Sequence, residues 1–457
     1  MTAVSVAPVE ARRVPSGPGR MASISLLIKM MRNRATTMAD AAAQYGDAVK
    51  LPMGPMSLYL FSHPDYAKHV LADNPGNYRK GIGQVHARRA IGDGLLTSEG
   101  ELWRRQRRTI QPAFQPKRIA KQAGVIGEEA AKLVERLRAH EGDGPVDVRE
   151  EMTGLTLGVL GHALLDSDIS AFDAIGESFE AVQDQAMFEL MSMSMVPMWV
   201  PLPRQLRFRR ARAYLEGVVQ RLVAERSAHP TDTGDDVVSR LIESTRQESD
   251  PRVARIQMRD ELFTLLLAGH ETTASTLSWA FYYADHHPEV WDQLHEEASR
   301  VLTGDTLSHE DLRGLTYTTR VLEESMRLRP PVWLLSRVAL AEDTIGEYHV
   351  PAGADVLISP FILHRHPAFW TEPERFDPDR FTPERTKGRH RYAYIPFGAG
   401  PRFCVGNSLG MMEATIVLAT VARDLRLKKV PGYVVDGEPM LTMRVRGGLP
   451  MTVHSLG

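Results

Sequence analysis

Residues 396–407 read Pro396-Phe-Gly-Ala-Gly-Pro-Arg-Phe-Cys-Val-Gly-Asn407 and include Cys404, the single cysteine of the 457-residue chain. A metal-bound thiolate needs room for the metal, backbone N–H donors around the sulfur, and a positive field that keeps the thiol deprotonated. Gly398, Gly400 and Gly406 permit unusual dihedrals that curl amides around one atom. A helix predicted to start just after Cys404 directs the positive end of its dipole at the sulfur. The alternative is a buried structural cysteine, the usual state of a free cysteine.

The composition is that of a globular protein, with 43% hydrophobic and 25% charged residues. The net charge of -2 gives no global reason to expect a nucleic-acid partner. One cysteine excludes an intrachain disulfide, a multi-thiolate zinc site and an iron–sulfur cluster. No signal peptide is predicted, and no apolar stretch reaches the ~18 residues of a spanning helix. Met21 to Met31 is amphipathic but short, which favours an ordinary surface helix over one that touches a membrane. We expect a cytoplasmic monomer with no membrane partner.

Long amphipathic helices dominate the pattern from residue 101 to residue 329. The periodicity predicts helices over residues 117–140, 148–165, 172–191, 205–228, 257–285 and 406–424. Two predicted strands at 49–52 and 58–62 flank a Gly54-Pro55 turn. Further strands are predicted at 344–350 and 355–359. The segments 440–445 and 449–453 predict a C-terminal hairpin. The fold class is therefore mainly α: a flexible tail at residues 1–20, then a single large helical domain over residues 21–457 with a small β-sheet region.

The pattern Phe397-x-x-Gly400-x-Arg402-x-Cys404-x-Gly406 resembles the Cys-ligand signature of the cytochromes P450, which are haem-thiolate monooxygenases. At average residue usage, a given cysteine would have these four specified neighbours by chance on the order of once in 10^5. The resemblance is to bacterial, soluble members and covers five motifs in order. It implies the P450 fold and a haem b (iron protoporphyrin IX) with Cys404 as axial iron ligand. A cysteine thiolate in that position favours O–O cleavage. Phe397, Gly398 and Gly406 would surround the haem, and Arg402 would pair with a propionate.

Residues 265–275, Leu265-Leu-Leu-Ala-Gly-His-Glu-Thr-Thr-Ala-Ser275, lie inside a predicted long helix. A glycine weakens a helix, and Thr272 can bond back to the Ala268 carbonyl and bend it. Glu271 beside Thr272 suits proton delivery to a small bound molecule in a distorted turn. Taken alone, a solvated Glu-Thr step on a helix face is slightly favoured. The resemblance instead implies that Thr272 steadies dioxygen, that Glu271 relays protons, and that Ala268 and Gly269 line the cofactor. We expect His270 to be structural or substrate-facing.

Two constellations resemble P450 support motifs. Glu324 and Arg327 are one helical turn apart, which by itself predicts only a weak surface pair. The resemblance assigns them, with Arg375 of Pro373-Glu-Arg-Phe376, to a buried structural triad. It also implies that Arg337 binds a haem propionate. The role implied for the triad is to support the fold and the haem pocket, not to take part in the reaction.

Trp103 and Arg107 share a helix face at i,i+4 spacing, and the resemblance implies that they hold a haem propionate. Many family members carry histidine before that arginine, whereas here Gln106 would supply an amide. The surplus charges of this segment either face solvent or attract an acidic protein; they are Arg104, Arg105 and Arg108, with Arg389 and Arg391 further on.

By resemblance, several segments line the substrate pocket, and the apolar side chains that they supply are Met191, Met195, Phe263, Leu267, Val332, Trp333, Leu334 and Met440. Methionine is adaptable and suits a compliant roof over a bulky apolar ligand. Filling of an irregular core explains these methionines equally well. A terpenoid or a polyketide-derived ring, as in secondary metabolism, fits such a pocket.

The resemblance implies insertion of one oxygen atom of O2 into a hydrophobic small molecule, by hydroxylation or epoxidation. The chain has no cluster-binding cysteines and no dinucleotide fingerprint. Electrons must therefore come from a separate ferredoxin and ferredoxin reductase, with NAD(P)H acting only indirectly. Three alternatives stay open: a peroxide-driven peroxygenase, a haem-binding protein without turnover, and a cysteine-nucleophile hydrolase.

Overall fold

The computed structural model describes residues 13–53, 56–169, 174–229, 236–246, 248–304 and 308–456. Seventeen α-helices lie within these ranges: α1 Ser23–Arg32, α2 Arg34–Tyr45, α3 Pro64–Lys68, α4 Ile82–Ile91, α5 Gly100–Ile110, α6 Pro116–Ala120, α7 Ala123–Ala139, α8 Val148–Leu160, α9 Ile175–Met191, α10 Pro203–Ala228, α11 Val237–Thr245, α12 Pro251–His286, α13 Pro288–Val301, α14 Thr316–Leu328, α15 Pro360–Leu363, α16 Pro383–Thr386 and α17 Asn407–Asp424. The strands there are β1 Ala48–Met53, β2 Met56–Phe61, β3 Tyr78–Lys80, β4 Val146–Asp147, β5 Leu335–Ala339, β6 Asp343–Ile345, β7 Tyr348–Val350, β8 Asp355–Ile358, β9 Leu425–Lys429, β10 Gly437–Pro439, β11 Met443–Val445 and β12 Pro450–Ser455. The mainly helical prediction is confirmed.

The chain divides into two compact units. The first comprises residues Met1–Ile82, Leu334–Pro373 and His390–Phe403. Its mixed sheet has the strand order β1-β2-β8-β5-β3, in which β2 and β8 run parallel and the other neighbours antiparallel. Of the predicted tail at residues 1–20, residues 1–12 lie outside the described part of the chain, whereas Arg13 and Ser16 form parallel bridges with Tyr348 and Val49.

The second unit comprises residues Gly83–Trp333, Glu374–Arg389 and Cys404–Gly457 and contains most of the long helices. Helix α12 is its centre: Trp279 and Phe281 are fully buried. The Asp250 side chain caps its first turn by accepting from the Arg252 N–H (2.8 Å), with Pro251 at the first helical position. The helix therefore begins at Pro251, before the start at residue 257 that the apolar pattern predicts.

The helices predicted near 148–165, 205–228 and 406–424 are confirmed, and the β1–β2 pair matches the predicted strands at 49–52 and 58–62. The helix predicted over 172–191 begins at Ile175 in the described residues. The predicted C-terminal hairpin is wrong. Strand β11 pairs with β10, and β12 pairs with β9 and β4. Both predicted strands have short alternating patterns, and such patterns do not specify a partner.

Candidate active site

Two glycines shape the loop before Cys404. Gly398 and Gly400 have φ angles of 72° and 68°, in the left-handed region that favours glycine. A Cβ on Gly400 would lie 1.8 Å from the Leu71 carbonyl oxygen, so no other residue fits there. Gly406 has an ordinary φ of -88°. The expectation that Gly406 is needed for an unusual dihedral is therefore wrong.

The Cys404 thiol is accessible, yet protein surrounds it closely. Burial raises the pKa of this thiol, while the backbone N–H groups of Gly406 and Asn407 and the charge of Arg107 oppose that rise. Helix α17 begins at Asn407, so its positive end also faces the sulfur. Each of these donors stabilises a thiolate, which is the form that binds a metal.

Thr272 and Ala268 form an accessible strip on α12, between the buried segments 260–267 and 273–281. Thr272 Oγ1 donates to the Ala268 carbonyl (2.9 Å), as the sequence predicts. The helix nevertheless continues without a break from Pro251 to His286. Gly269 lies against α8, where a Cβ would come within 2.8 Å of Leu160 Cδ1. Close packing of the two helices thus accounts for this glycine.

Glu271 faces a different environment from Thr272. Its Oε1 accepts a hydrogen bond from Thr442 Oγ1 (2.8 Å), just before strand β11. On β11, Arg444 donates from Nε to Glu438 Oε2 (2.8 Å). Burial opposes the charge of Arg444, but the hydrogen bond to Glu438 and the charges of Glu180 and Glu271 raise its pKa.

The Arg444 guanidinium also reaches α9. Its Nη1 lies 3.8 Å from Glu180 Oε1, and its Nη2 lies 4.0 Å from Asp184 Oδ1. These carboxylates and that of Glu438 are partly exposed. Arg444 therefore interacts electrostatically with Glu271 and pairs with carboxylates that are partly exposed. Thr442 and Arg444 were not predicted as site residues, because they lie far from α12 along the chain.

His270 is structural, one of the two roles that the sequence predicts. It is 1% exposed, its Nδ1 lies 2.5 Å from the Leu266 carbonyl oxygen, and its ring contacts Phe179. Burial lowers the pKa of His270, although Glu271 opposes this. A neutral imidazole therefore packs in the core.

Helix α5 places Trp103 and Arg107 on one half-buried face. Arg107 donates from Nε to Gln111 Oε1 (3.2 Å); burial lowers its pKa and the charge of Cys404 opposes this. Gln106 is buried, donates to the Asp93 carbonyl (2.7 Å) and accepts from Ser98 Oγ. Its amide therefore ties α5 to the preceding loop, and the expectation that it faces the cofactor is corrected.

The buried ion cluster at the end of α14 differs from the prediction in one member. Arg327 donates to both oxygens of Glu324 (2.6 and 2.7 Å), and both side chains are fully buried. Arg380 Nε lies 3.3 Å from Glu324 Oε1 and is buried. Arg375 has an exposed side chain, and its main-chain carbonyl accepts from Arg327 (3.0 Å) and Arg380 (3.3 Å). Arg380 of Phe376-Asp-Pro-Asp-Arg-Phe381 therefore replaces Arg375 as the third charged member.

We expect Arg327→Ala to lower the free energy of unfolding by about 3–5 kcal/mol, because it leaves the buried Glu324 carboxylate without its bidentate partner. Arg380→Ala should cost about 1–3 kcal/mol, the range for removing one partner of a buried polar group. Arg375→Ala keeps the main-chain carbonyl, so its free energy of unfolding should stay within about 0.5 kcal/mol of the wild-type value. Urea denaturation of the three variants checks the order, and equal losses for Arg375→Ala and Arg380→Ala would contradict it.

In the first unit, Arg337 lies on β5 directly opposite Lys80 of β3, and both are 7% exposed. Two neighbouring buried cations suit an anionic group. Sequence reasoning missed Lys80, although the alternation Tyr78-Arg79-Lys80 points it inward. Phe397 packs near Phe403 with ring centroids 6.4 Å apart. Arg402 ends the short 3₁₀ turn Gly400–Arg402.

The predicted pocket residues fall into four sets. In the second unit, Trp333 Nε1 donates to the Met440 carbonyl (2.9 Å), so two of the segments predicted to line the pocket meet, and Val332 next to Trp333 is half-buried. Phe263 and Leu267 are 1% and 4% exposed in the core cluster around α9 and α12, so core packing accounts for both. Met191 and Met195 lie at and after the end of α9, with 39% and 78% exposure. Leu334 is half-buried in the first unit.

The cytochrome P450 family model matches residues 15–444. The chain belongs to the cytochrome P450 family. Cyclooctatin synthase of Streptomyces melanosporofaciens is 36% identical over 93% of this chain and 92% of that protein. Cyclooctat-9-en-7-ol 5-monooxygenase of the same species is 34% identical (91% and 90%), and pentalenene oxygenase of Streptomyces avermitilis is 31% identical (91% and 92%).

Membership makes this P450 an oxidoreductase that uses haem iron and O2, and a monooxygenase like its named relatives. The prediction of family, fold class and enzyme class is confirmed. Within the described ranges, none of the helices has the length and apolar character needed to cross a bilayer.

Proposed function

We propose that this P450 inserts one oxygen atom of O2 into a bulky apolar cyclic molecule of the terpenoid or polyketide type, with electrons from a ferredoxin system. The environment of Cys404 carries the proposal. A lone accessible thiol that meets two backbone N–H groups, a helix N-terminus and a guanidinium fits a thiolate ligand. A structural cysteine needs none of these donors.

Cys404 would hold the iron of the haem, with Trp103 and Arg107 of α5 beside it. From the resemblance, Arg337 and Arg402 are proposed as partners of the haem propionates; within its own unit Arg337 lies opposite Lys80 in the β3–β5 pair, and Phe397 and Gly398 precede Cys404 along the chain. When bound, the haem supplies the iron that activates O2. What remains to the protein is to deliver protons and exclude solvent.

Glu271 and Thr272 divide the proton chemistry. The Thr272 hydroxyl lies on the accessible strip of α12, where it can hydrogen-bond a small ligand beside Ala268. Glu271 lies on the side of Thr442 and Arg444. The carboxylate partners of Arg444 are partly exposed. Protons would pass from these carboxylates to Glu271 and onward to the oxygen, with Arg444 as a positioning residue.

The substrate class rests on the pocket side chains and on the relatives. The indole hydrogen bond of Trp333 brings it to Met440, so two of the apolar residues proposed for the pocket lie together. The names of the relatives denote cyclic hydrocarbon frameworks. Binding spectra with polycyclic terpenes, macrocycles and fatty acids test the class; tight binding of fatty acids alone would contradict it.

A turnover assay tests the function itself. The holoenzyme with surrogate ferredoxin, ferredoxin reductase and NADPH should give an oxygenated product, whereas the same protein with hydrogen peroxide alone should give little. Efficient turnover with peroxide would favour a peroxygenase, and haem binding without turnover under either condition would favour a carrier or sensor.

The ferredoxin partner gives a further prediction. Arg104, Arg105 and Arg108 are exposed on α5, and charge reversal there should slow reduction while leaving substrate affinity unchanged. Wild-type reduction should also slow with ionic strength, because salt screens charges beyond ~8 Å at physiological concentration. Stopped-flow reduction measures both. Reversal of Arg138 and Arg246, which pair with a glutamate three residues earlier as Arg104 does, is the matched control. A rate flat in salt would place docking elsewhere.

A further inference from the structure

Helix α1 has apolar side chains on two opposite faces. Leu26 and Met30 are buried at 7% and 5% exposure and attach the helix to the first unit. On the opposite face, Ile24, Ile28 and Met31 are 73%, 51% and 68% exposed, and Met21 just before the helix is 99% exposed. Their spacing of three and four residues places them in one stripe. Packing within the described chain explains only the first face.

The charges around the stripe have one sign. Residues 20–34 contain Arg20, Lys29, Arg32 and Arg34 and no acidic residue. At 100° per residue, Lys29 and Arg32 follow one border of the stripe, and both are exposed. An exposed apolar stripe with cations along its border and no acidic residue in the segment is typical of a helix that lies in a lipid interface.

We propose that the exposed stripe of α1 docks on an anionic lipid bilayer surface, with Ile24, Ile28 and Met31 in the headgroup boundary and Lys29 and Arg32 on lipid phosphates. A second copy of the chain fits less well, because pairing two such helices brings like charges together. The ten-residue helix is too short to span a bilayer. Docking revises the expectation that Met21 to Met31 is an ordinary surface helix. It also goes beyond the proposed function: an apolar substrate dissolved in the bilayer would reach the enzyme there.

Vesicle co-sedimentation of the purified ferric holoenzyme, without substrate or reductase, tests the docking independently of turnover. Vesicles of phosphatidylcholine and phosphatidylglycerol in a two-to-one ratio should bind the protein, and pure phosphatidylcholine should bind it much less. Ile24→Ser with Ile28→Ser should weaken binding roughly tenfold or more, because two exposed apolar side chains are lost. Lys29→Gln and Arg32→Gln should each weaken it about fivefold, on anionic vesicles only.

The matched control is Leu340→Ser with Val434→Ser, which removes two apolar side chains that are 55% and 83% exposed elsewhere. The control should bind vesicles as the wild type does. Equal loss in the control and the α1 variant, or no binding by the wild type, would overturn the proposal. A wild-type dimer in light scattering that Ile24→Ser with Ile28→Ser converts to a monomer, without vesicle binding, would also overturn it and assign the stripe to a second copy.

Discussion

Cys404→Ser is expected to abolish the strongly red-shifted Soret band of the ferrous carbonyl form, which the wild type should show. That shift would report a haem held by a thiolate, and a serine hydroxyl would stay protonated where the thiol ionises. The loss should be complete, because Cys404 is the single cysteine in the chain and no second thiol can substitute. Carbonyl difference spectra of both proteins make the measurement.

A matched variant separates loss of the ligand from loss of the fold. Val405→Ala removes only apolar surface next to Cys404 and should keep the band. If Cys404→Ser and Val405→Ala show the same far-ultraviolet circular dichroism, the spectral loss belongs to the sulfur. A wild-type carbonyl spectrum like that of a histidine-ligated globin would contradict both the ligand assignment and the proposed oxygen insertion.

Local chemistry was predictable from the sequence where neighbours along the chain supply it. The donors around Cys404 come mainly from the next three residues, and the Thr272 back-bond reaches only four residues back. The same applies to the Glu324–Arg327 pair, which is one helical turn long. In each of these cases, backbone geometry alone brings the groups together.

Contacts between distant segments were not predictable in this way. Two arginines, Arg375 and Arg380, follow α14 in similar Pro-acid-Arg-Phe contexts, and only burial shows which side chain reaches Glu324. Thr442 meets Glu271 across 171 residues. Strand β12 takes β9 as partner because register depends on the packed face rather than on sequence proximity.

The environments of Glu271 and Thr272 predict different defects when each is replaced. Adjacent residues point about 100° apart on an α-helix, and α12 runs without a break through both residues. Thr272→Ala should keep haem, the carbonyl band and substrate affinity, but divert electrons from NAD(P)H into hydrogen peroxide. Glu271→Gln should instead slow turnover by roughly 10²–10⁴-fold with less uncoupling, because a positioned proton donor is lost.

Product, peroxide and NADPH consumption measured together distinguish these outcomes, and Arg444 extends the test to the proton route. Arg444→Gln removes a guanidinium that interacts electrostatically with Glu271 and pairs with the partly exposed carboxylates, so it should resemble a weaker Glu271→Gln and enlarge the solvent isotope effect on turnover. Arg444→Lys keeps the charge and should restore part of the rate. Arg446→Gln is the matched control, because Arg446 is exposed and pairs with Asp436 instead. If Glu271→Gln and Thr272→Ala both kept wild-type coupling and rate, a solvent or substrate hydroxyl would have to carry the protons, and the pair would be an ordinary feature of the helix face.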